Sequence, residues 1–267
     1  MRALKIVGPL LLVAGTLLFL CLGLVNAGQG RRIAETVPGS EHYAALSTTA
    51  GIPPQGEPDY RRPDNYLYAV YEDNLPNGEL QIYSPSQTLI DGACITLTAD
   101  QHGNHYVSGK VESKIAFRYG SFTFRVNTVT GKSFFPAIWL LPADGREYPE
   151  IDIYELIGSE PHLIYGVLHY RENDVKKREF FKHAFSKKEI PESYEICFEW
   201  LPGEMSWYLD GQRIYTVKKH VPDDFMYLII NLAVGGTWPG APDESTSFPA
   251  AFRVEMLEFK PGQIMAR

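Results

Sequence analysis

Short runs of alternating apolar and polar residues follow one another through most of the chain. Residues 93–99, 194–201 and 252–259 show the two-residue period of strands that bury one face. Turn residues separate most of the runs, and Asp210-Gly211 between two of them is a strong signal for a tight hairpin. No convincing amphipathic helix of any length appears in the sequence. Many short strands at regular spacing predict an all-β sandwich or barrel.

The predicted strands define one domain over residues 58–262, followed by a short tail at 263–267. Residues 28–57 are rich in small residues and proline and lack an apolar period, which predicts a linker or a loosely packed amino-terminal arm. The predicted strands cover residues 93–99, 109–117, 120–126, 135–141, 150–156, 163–170, 194–201, 204–209, 212–217, 227–234 and 252–259.

An apolar run covers residues 6–25 and follows two basic residues, Arg2 and Lys5. Val25-Asn26-Ala27 directly behind the run has the small residues of a cleavage site, so residues 1–27 are predicted to be a signal peptide. The run also has the ~20 residues that span a bilayer, and a retained membrane anchor is the alternative. Either outcome places the domain outside the cytoplasm, as a secreted, periplasmic or membrane-anchored protein.

The charge of the chain argues against a nucleic-acid partner. The formal net charge is −7, and no nucleic-acid recognition motif is present. Residues 176–188 nevertheless carry six Lys and Arg against one Glu, which predicts a solvated loop and strand edge. Contact with an anionic polysaccharide or a membrane surface is the alternative. Cys94 and Cys197 lack the number and spacing of a zinc site, which leaves either a disulfide or two buried thiols.

Three carboxylates stand at positions one, three and six of Glu150-Ile151-Asp152-Ile153-Tyr154-Glu155. In a strand the first two point to one face, and Glu155 would point to the other. One extra residue inserted after Ile153 as a β-bulge turns Glu155 back to the first face. The alternatives are an exposed acidic strand or a structural cation site, but like charges on one face repel and burying them is costly, so packing alone has no use for them. Crowded like charges also raise the pKa of at least one carboxyl group. Hydrolysis of a glycosidic bond requires two carboxyl groups, one protonated and one ionised.

With these residues in view, the chain resembles glycoside hydrolase family 16, the endo-acting laminarinase, lichenase, agarase and carrageenase group. The resemblance covers roughly residues 78–259, and its motifs occur in the order of the family. They are Gly109-Lys110-Val111-Glu112-Ser113-Lys114, Tyr119-Gly120, Phe135-Pro136-Ala137-Ile138-Trp139-Leu140-Leu141-Pro142, the acid motif, Tyr165-Gly166-Val167-Leu168-His169-Tyr170, Glu199-Trp200, Trp207-Tyr208-Leu209-Asp210-Gly211 and Asn231-Leu232-Ala233-Val234-Gly235-Gly236-Thr237-Trp238-Pro239-Gly240.

The resemblance implies a β-jelly-roll of two curved antiparallel sheets, with an open polysaccharide cleft across the concave one. It implies double displacement, with Glu150 as nucleophile, Glu155 as acid/base and Asp152 between them. The expected substrate is a β-1,3- or β-1,3-1,4-glucan, cut internally by a monomer that needs no cofactor. Family members often hold a structural calcium on the convex side, and a calcium ion is expected here on the same ground.

Five further residues are candidates for contact with substrate. Trp139 is expected to line the cleft, with a core position as the alternative. Trp238 stands in a glycine-rich loop and is predicted to be a stacking platform for sugars. Phe135 stands where laminarinase-like members often carry Trp. His169 is either a satisfied core histidine or a partner that makes a hydrogen bond to the acids or to substrate. Asn231 either binds a sugar hydroxyl or ties two strands together.

Three other functions remain alternatives to a glucan hydrolase. A glucan-binding module without catalysis is one, although the intact acid motif argues against it. A transglycosylase, which passes the glycosyl-enzyme to another sugar, is a second, and the sequence does not separate transfer to sugar from transfer to water. A hydrolase of charged galactans is a third, favoured only if the basic segment at 176–188 reaches the cleft.

Overall fold

The structure is a computed structural model that describes Tyr60, residues 62–73 and residues 75–267. The predicted leader at 1–27 and linker at 28–57 lie outside the described residues. Two short 3-10 helices occur at Pro63–Asn65 and Pro85–Gln87, and in the described part of the chain no helix is long and apolar enough to cross a membrane. The strands are β1 (Leu67–Ala69), β2 (Gln81–Tyr83), β3 (Thr88–Asp91), β4 (Cys94–His102), β5 (His105–Ser108), β6 (Lys110–Ser113), β7 (Ile115–Asn127), β8 (Phe134–Pro142), β9 (Glu150–Leu156), β10 (Leu163–Glu172), β11 (Val175–Ala184), β12 (Ser193–Leu201), β13 (Glu204–Leu209), β14 (Gln212–Val217), β15 (Met226–Val234) and β16 (Ala250–Ala266).

The strands pair in two antiparallel runs. The front sheet has the order β11-β10-β9-β8-β15-β6-β1. The back sheet has the order β14-β13-β12-β7-β16-β4-β3. One residue pair, Met226 with Phe117, joins the two runs, while β5 and β2 extend from β4. The predicted all-β jelly-roll sandwich is confirmed.

Apolar side chains from both sheets meet in one core. Tyr154 of β9 stacks on Phe252 of β16 with ring centres 5.8 Å apart, and its hydroxyl lies 3.0 Å from that of Tyr194 on β12. Trp200 and Trp207 of the back sheet are also buried in this core. The strand that carries the acid motif is therefore fixed from behind by aromatic contacts with the back sheet.

The structure differs from the prediction most clearly at two strand boundaries. Residues 109–117 form two strands rather than one, because the chain leaves the front sheet at Lys114, whose N–H donates to the Tyr66 carbonyl. The predicted tail at 263–267 is wrong, since residues up to Ala266 continue β16 and pair with β7. Ile264 and Met265 are adjacent apolar residues that are both exposed, so no alternation marks the pairing in the sequence. Arg267 Nη1 donates to Glu112 Oε2 at 2.8 Å.

Most of the basic segment forms strand β11, which the sequence did not predict as a strand of its own. Among the strands of the described residues, this strand is the outermost one of the front sheet and pairs only with β10. The predicted strand edge is therefore confirmed. Alternate residues of β11 point to one face, and three of them, Lys176, Arg178 and Phe180, line the cleft described below.

The two cysteines of the domain do not form a disulfide with each other. Cys197 on β12 carries a free thiol, while Cys94 lies at the start of β4. Burial raises the pKa of the Cys197 thiol to about 11. A thiol with a raised pKa reacts slowly, so Cys197 has a packing role in the back sheet.

Candidate active site

Strand β9 carries a β-bulge at Ile153. On the β8 side, Asp152 and Tyr154 pair with consecutive residues, which leaves Ile153 between them without a partner on that strand. On the β10 side, the single residue Gly166 stands opposite both Ile153 and Tyr154. The extra residue reverses the alternation of side chains, so Glu155 returns to the face of the first two acids. The bulge predicted from the acid spacing is confirmed.

Glycine at position 166 gives the neighbouring strand room beside the bulge. A Cβ on Gly166 would overlap Phe181 Cε1 and would lie 2.9 Å from both Phe181 Cζ and Trp207 Nε1. Any side chain at this position would push β10 away from the aromatic core behind it. The glycine therefore holds β10 close to the core while it faces the bulged segment of β9.

A cleft of about 710 Å³ opens over this face of the front sheet. Glu150 and Glu155 both line the cleft, whereas Asp152 lies beneath its surface and is only 4 % exposed. A second cavity of about 520 Å³ adjoins the first and shares Glu147 and Tyr148 with it. The depression over the front sheet therefore continues past the acids on the side of Tyr148.

His169 lies against the acids. It pairs with Glu150 across β9 and β10, and its Nε2 lies 3.4 Å from Asp152 Oδ2 and 3.7 Å from Glu150 Oε1. The Oδ2 atom of Asp152 is buried and accepts no hydrogen bond of full geometry from the described residues. Its contact with His169 Nε2 at 3.4 Å is close enough for an ion pair when the imidazole is protonated. Of the two readings of His169, contact with the acids is the one that the structure supports.

All three carboxyl groups of the motif have raised pKa values. Burial is the largest cause for Glu150 and for Glu155, and repulsion from Asp152 adds to it in both. Burial likewise raises the pKa of Asp152. Two cations of β11 act in the opposite direction, since Lys176 lowers the pKa of Glu150 and Arg178 lowers that of Glu155. Each ionisation makes the next one harder, so the cluster keeps a protonated carboxyl group that can serve as a general acid.

Aromatic rings form the wall of the cleft beside Glu155. Trp238 is 48 % exposed and meets Phe135 and Tyr165 edge-to-face, with ring centres 5.5 Å and 4.9 Å away. All three rings line the cleft. The sequence reasoning missed Tyr165, although its position four residues before His169 on the same strand places both on one face. Exposed rings of this kind suit the flat faces of sugars.

Asn231 supports Trp139 rather than facing the cleft. It is 7 % exposed, its Oδ1 accepts from Trp139 Nε1 at 2.8 Å, and its Nδ2 donates to the Tyr83 hydroxyl at 2.9 Å. Trp139 pairs with Asp152 across β8 and β9 and so lies on the same face as the acids. The structure therefore favours the strand-tying role of Asn231 over a direct contact with sugar, because both ends of its amide are engaged.

The acids could in principle hold a cation. Ligand atoms of Glu150, Asp152 and His169 lie within 4.8 Å of one another, and this is the one such cluster that residues 60, 62–73 and 75–267 form. Calcium takes six to eight oxygen ligands, so a set of two carboxylates and one imidazole does not suit it. The calcium ion expected from the family resemblance stays a prediction.

The sequence reasoning did not assign the cleft residues of β11 to the site. Lys176, Arg178 and Phe180 line the cleft together with the acids. The signal for them was the alternation Lys-x-Arg-x-Phe in the basic segment, which the prediction of a solvated loop set aside.

Comparisons with known proteins agree with this geometry. Residues 78–253 match the family described as Glycosyl hydrolases family 16. A "Beta-glucanase" of Rhodothermus marinus is 27% identical over 240 residues, covering 76% of this chain and 80% of that protein. The "Endo-1,3-1,4-beta-glycanase ExsH" of Rhizobium meliloti (strain 1021) is 28% identical over 167 residues, covering 61% of this chain and 35% of its own length. The X-ray structure of an endo-beta-1,3-glucanase from Pyrococcus furiosus superposes with a TM-score of 0.63 at 25% identity, covering 80% of this chain and 92% of that one.

Because the family match spans the acid motif and most of the front sheet, this chain belongs to the glycosyl hydrolases family 16 and is a glycoside hydrolase.

Proposed function

We propose that the protein hydrolyses internal bonds of a β-1,3- or β-1,3-1,4-glucan with retention of anomeric configuration. The observation that carries the proposal is the bulge at Ile153, which gathers Glu150, Asp152 and Glu155 on the cleft face of one strand. Membership of the family supports the reaction class. The names of relatives from Rhodothermus marinus and Rhizobium meliloti support a β-glucan as the substrate.

In the first step, protonated Glu155 donates its proton to the glycosidic oxygen while the Glu150 carboxylate attacks the anomeric carbon. The bond to the leaving sugar breaks, and a covalent glycosyl ester forms on Glu150. The raised pKa of Glu155 supports its role as the proton donor. Glu150 Oε1 lies 3.7 Å from His169 Nε2, and this neighbour supports Glu150 as the carboxylate that attacks.

In the second step, the Glu155 carboxylate takes a proton from water as the water attacks the anomeric carbon. The ester bond to Glu150 breaks, and both carboxyl groups return to their starting states. Asp152 has a supporting role, since its charge raises the pKa of both glutamates. Two inversions at one carbon restore the original configuration of the sugar.

Internal cleavage follows from the length of the binding surface. On one side of the acids, the cleft is lined by the rings of Trp238, Phe135 and Tyr165. On another side, the adjoining cavity continues the cleft beyond Glu147 and Tyr148. A surface that extends past the acids on more than one side can hold several sugar units. We further infer an extracytoplasmic location, either secreted or held by residues 6–25, because residues 1–27 have the basic start, apolar run and small-residue site typical of an export signal.

A polysaccharide panel tests the proposal. Laminarin, barley mixed-linkage glucan, cellulose and agarose are incubated with the protein, and reducing ends and product sizes are measured. We expect a ladder of short oligosaccharides from laminarin or from barley glucan. Glu150→Gln and Glu155→Gln should each lower kcat by ~10²-fold or more while glucan binding in affinity electrophoresis persists. Glu244→Gln, in an exposed loop, is the matched control and should cut at the wild-type rate.

Two outcomes would contradict the proposal. Cutting by Glu150→Gln at the wild-type rate would remove that residue from the role of nucleophile. Binding of glucans by the wild type without any cutting would favour the alternative of a binding module on the same fold.

A further inference from the structure

We propose that strand β11 forms a basic wall of the cleft, made of Lys176, Arg178 and Phe180, which binds an anionic substituent on the glucan. The substrate would then be a β-glucan that carries carboxylate or sulfate groups, in preference to a neutral one. This inference rests on the proposed glucanase function and specifies the class of its substrate. Contact with an anionic polysaccharide is the alternative that the sequence predicts for this segment, and three of its residues line the cleft.

The position of Arg178 connects the wall to the acids. Arg178 pairs with His169 across β10 and β11, and His169 pairs with Glu150 across β9 and β10. Directly opposed residues of neighbouring strands point to the same face, and adjacent strands are ~4.8 Å apart. The backbone of Arg178 therefore stands ~10 Å across the sheet from that of Glu150, and its side chain lines the same cleft.

The guanidinium of Arg178 is available to a ligand. The neighbouring cations are already paired, since Lys176 Nζ lies 2.8 Å from Glu147 Oε1 and Arg171 Nη2 lies 3.8 Å from Glu147 Oε2. Within residues 60, 62–73 and 75–267, no carboxylate lies within ion-pair distance of Arg178. Its guanidinium carbon lies 5.5 Å from the centre of the Phe180 ring. The planar donors that match an oxyanion in two parallel hydrogen bonds are thus left open.

Protection of the sheet edge explains only part of this strand. Lysine on an edge strand hinders pairing with other chains, and this accounts for Lys177 and Lys182. It does not account for Phe180, which is 52 % exposed, because an exposed ring on an edge strand invites association. An exposed ring beside an unpaired guanidinium suits a sugar face with an acidic group attached to it.

The basic wall differs in charge from the rest of the protein. The chain carries a formal net charge of −7, and Glu79, Glu147, Glu150 and Glu155 line the same cleft. A polyanion would be repelled by such a surface unless a local group attracted it. The basic wall provides that attraction on one side of the cleft, and added salt should weaken it.

The test compares kcat/KM on three soluble probes: laminarin, carboxymethylated β-1,3-glucan and sulfated β-1,3-glucan. For the wild type we expect a preference for at least one charged probe, expressed as the ratio of its kcat/KM to that on laminarin, and a decrease of this ratio with added salt. Arg178→Gln should lower the ratio by about tenfold or more, and Arg178→Lys should recover part of it. Lys187→Gln removes one positive charge from the exposed segment after β11 and should keep the wild-type ratio.

The outcomes separate this inference from the function on which it rests. A loss of the ratio on either charged probe supports the basic wall, and the probe affected identifies the oxyanion. Equal ratios for the wild type and Arg178→Gln, with laminarin still cut, would overturn the basic wall and leave the glucanase intact. Failure of the wild type to cut any of the three probes would instead overturn the glucanase proposal.

Discussion

The glycine opposite the bulge offers a sharp test of how the sequence positions the acids. Gly166→Ala adds one methyl group, which would overlap Phe181 Cε1 and lie 2.9 Å from Phe181 Cζ and from Trp207 Nε1. The ring of Phe181 has little freedom to move, because it packs against Trp207 and Tyr215 with ring centres 5.8 Å and 5.4 Å away. The methyl group therefore has to displace β10, the strand that faces the bulge.

The magnitude follows from the cost of overpacking a core. An extra methyl group without space costs ~1–3 kcal/mol, and for a domain of this size each kcal/mol lowers Tm by ~2–4 °C. We expect Tm to fall by ~2–12 °C. A shift of β10 also tilts the bulged segment that carries Glu155, and a misplacement of ~1 Å at a reacting group costs ~10²-fold in rate. We therefore expect kcat on laminarin to fall more than KM rises.

A double-mutant cycle checks the mechanism. Phe181→Leu removes the ring atoms that the new methyl group meets first, so the stability penalty of Gly166→Ala should be smaller in that background. Thermal unfolding followed by circular dichroism and steady-state rates on laminarin supply the measurements for all four proteins. A Gly166→Ala protein with wild-type Tm and kcat would refute the reasoning. Equal penalties in both backgrounds would refute the assignment of the clash to Phe181.

Three further predictions concern other parts of the cleft. Asn231→Leu leaves the Trp139 indole N–H without its acceptor and the Tyr83 hydroxyl without its donor, so the free energy of unfolding in a urea titration should fall by ~2–5 kcal/mol; a fall of a few tenths would contradict the shared hydrogen bonds. Glu155 has a raised pKa in the folded state, so the stability present below its unfolded pKa is lost as pH rises through the folded pKa. The Tm of Glu155→Gln relative to wild type should therefore be more favourable at alkaline than at acid pH, and an equal difference at both would contradict the raised pKa. Trp238→Ala removes an exposed ring and should raise KM on laminarin by about tenfold with a smaller effect on kcat, whereas a fall in kcat alone would contradict its role as a platform.

The features that local sequence patterns determine were predictable. Alternation identified β12 and the first part of β16, and Asp210-Gly211 identified the hairpin between β13 and β14, where both residues adopt positive φ. The spacing of the acids identified the bulge at Ile153, because three carboxylates on one face require it. Each of these conclusions depends on residues that are close together in the sequence.

The features that depend on distant partners were not predictable. Strand β11 is exposed and largely charged, and the end of β16 has exposed residues without alternation, so only their pairing with β10 and β7 makes them strands. Asn231 reads equally well as a sugar ligand until its contacts with Trp139 and Tyr83 are known. The charge on Arg178 was visible in the sequence, but whether it faced the cleft depended on the register between β10 and β11.

Capture of the glycosyl intermediate by azide tests the central claim, that Glu150 and Glu155 act on opposite faces of one sugar. Glu150→Ala and Glu155→Ala are each incubated with azide and an aryl β-glycoside of a β-1,3-gluco-oligosaccharide that has a good leaving group, and the products are identified by NMR. In Glu150→Ala, azide replaces the missing nucleophile, attacks the substrate directly and should give the α-glycosyl azide. In Glu155→Ala, azide attacks the glycosyl ester on Glu150 and should give the β-glycosyl azide. The same anomer from both variants, or the two anomers exchanged, would contradict the assignment of the two glutamates.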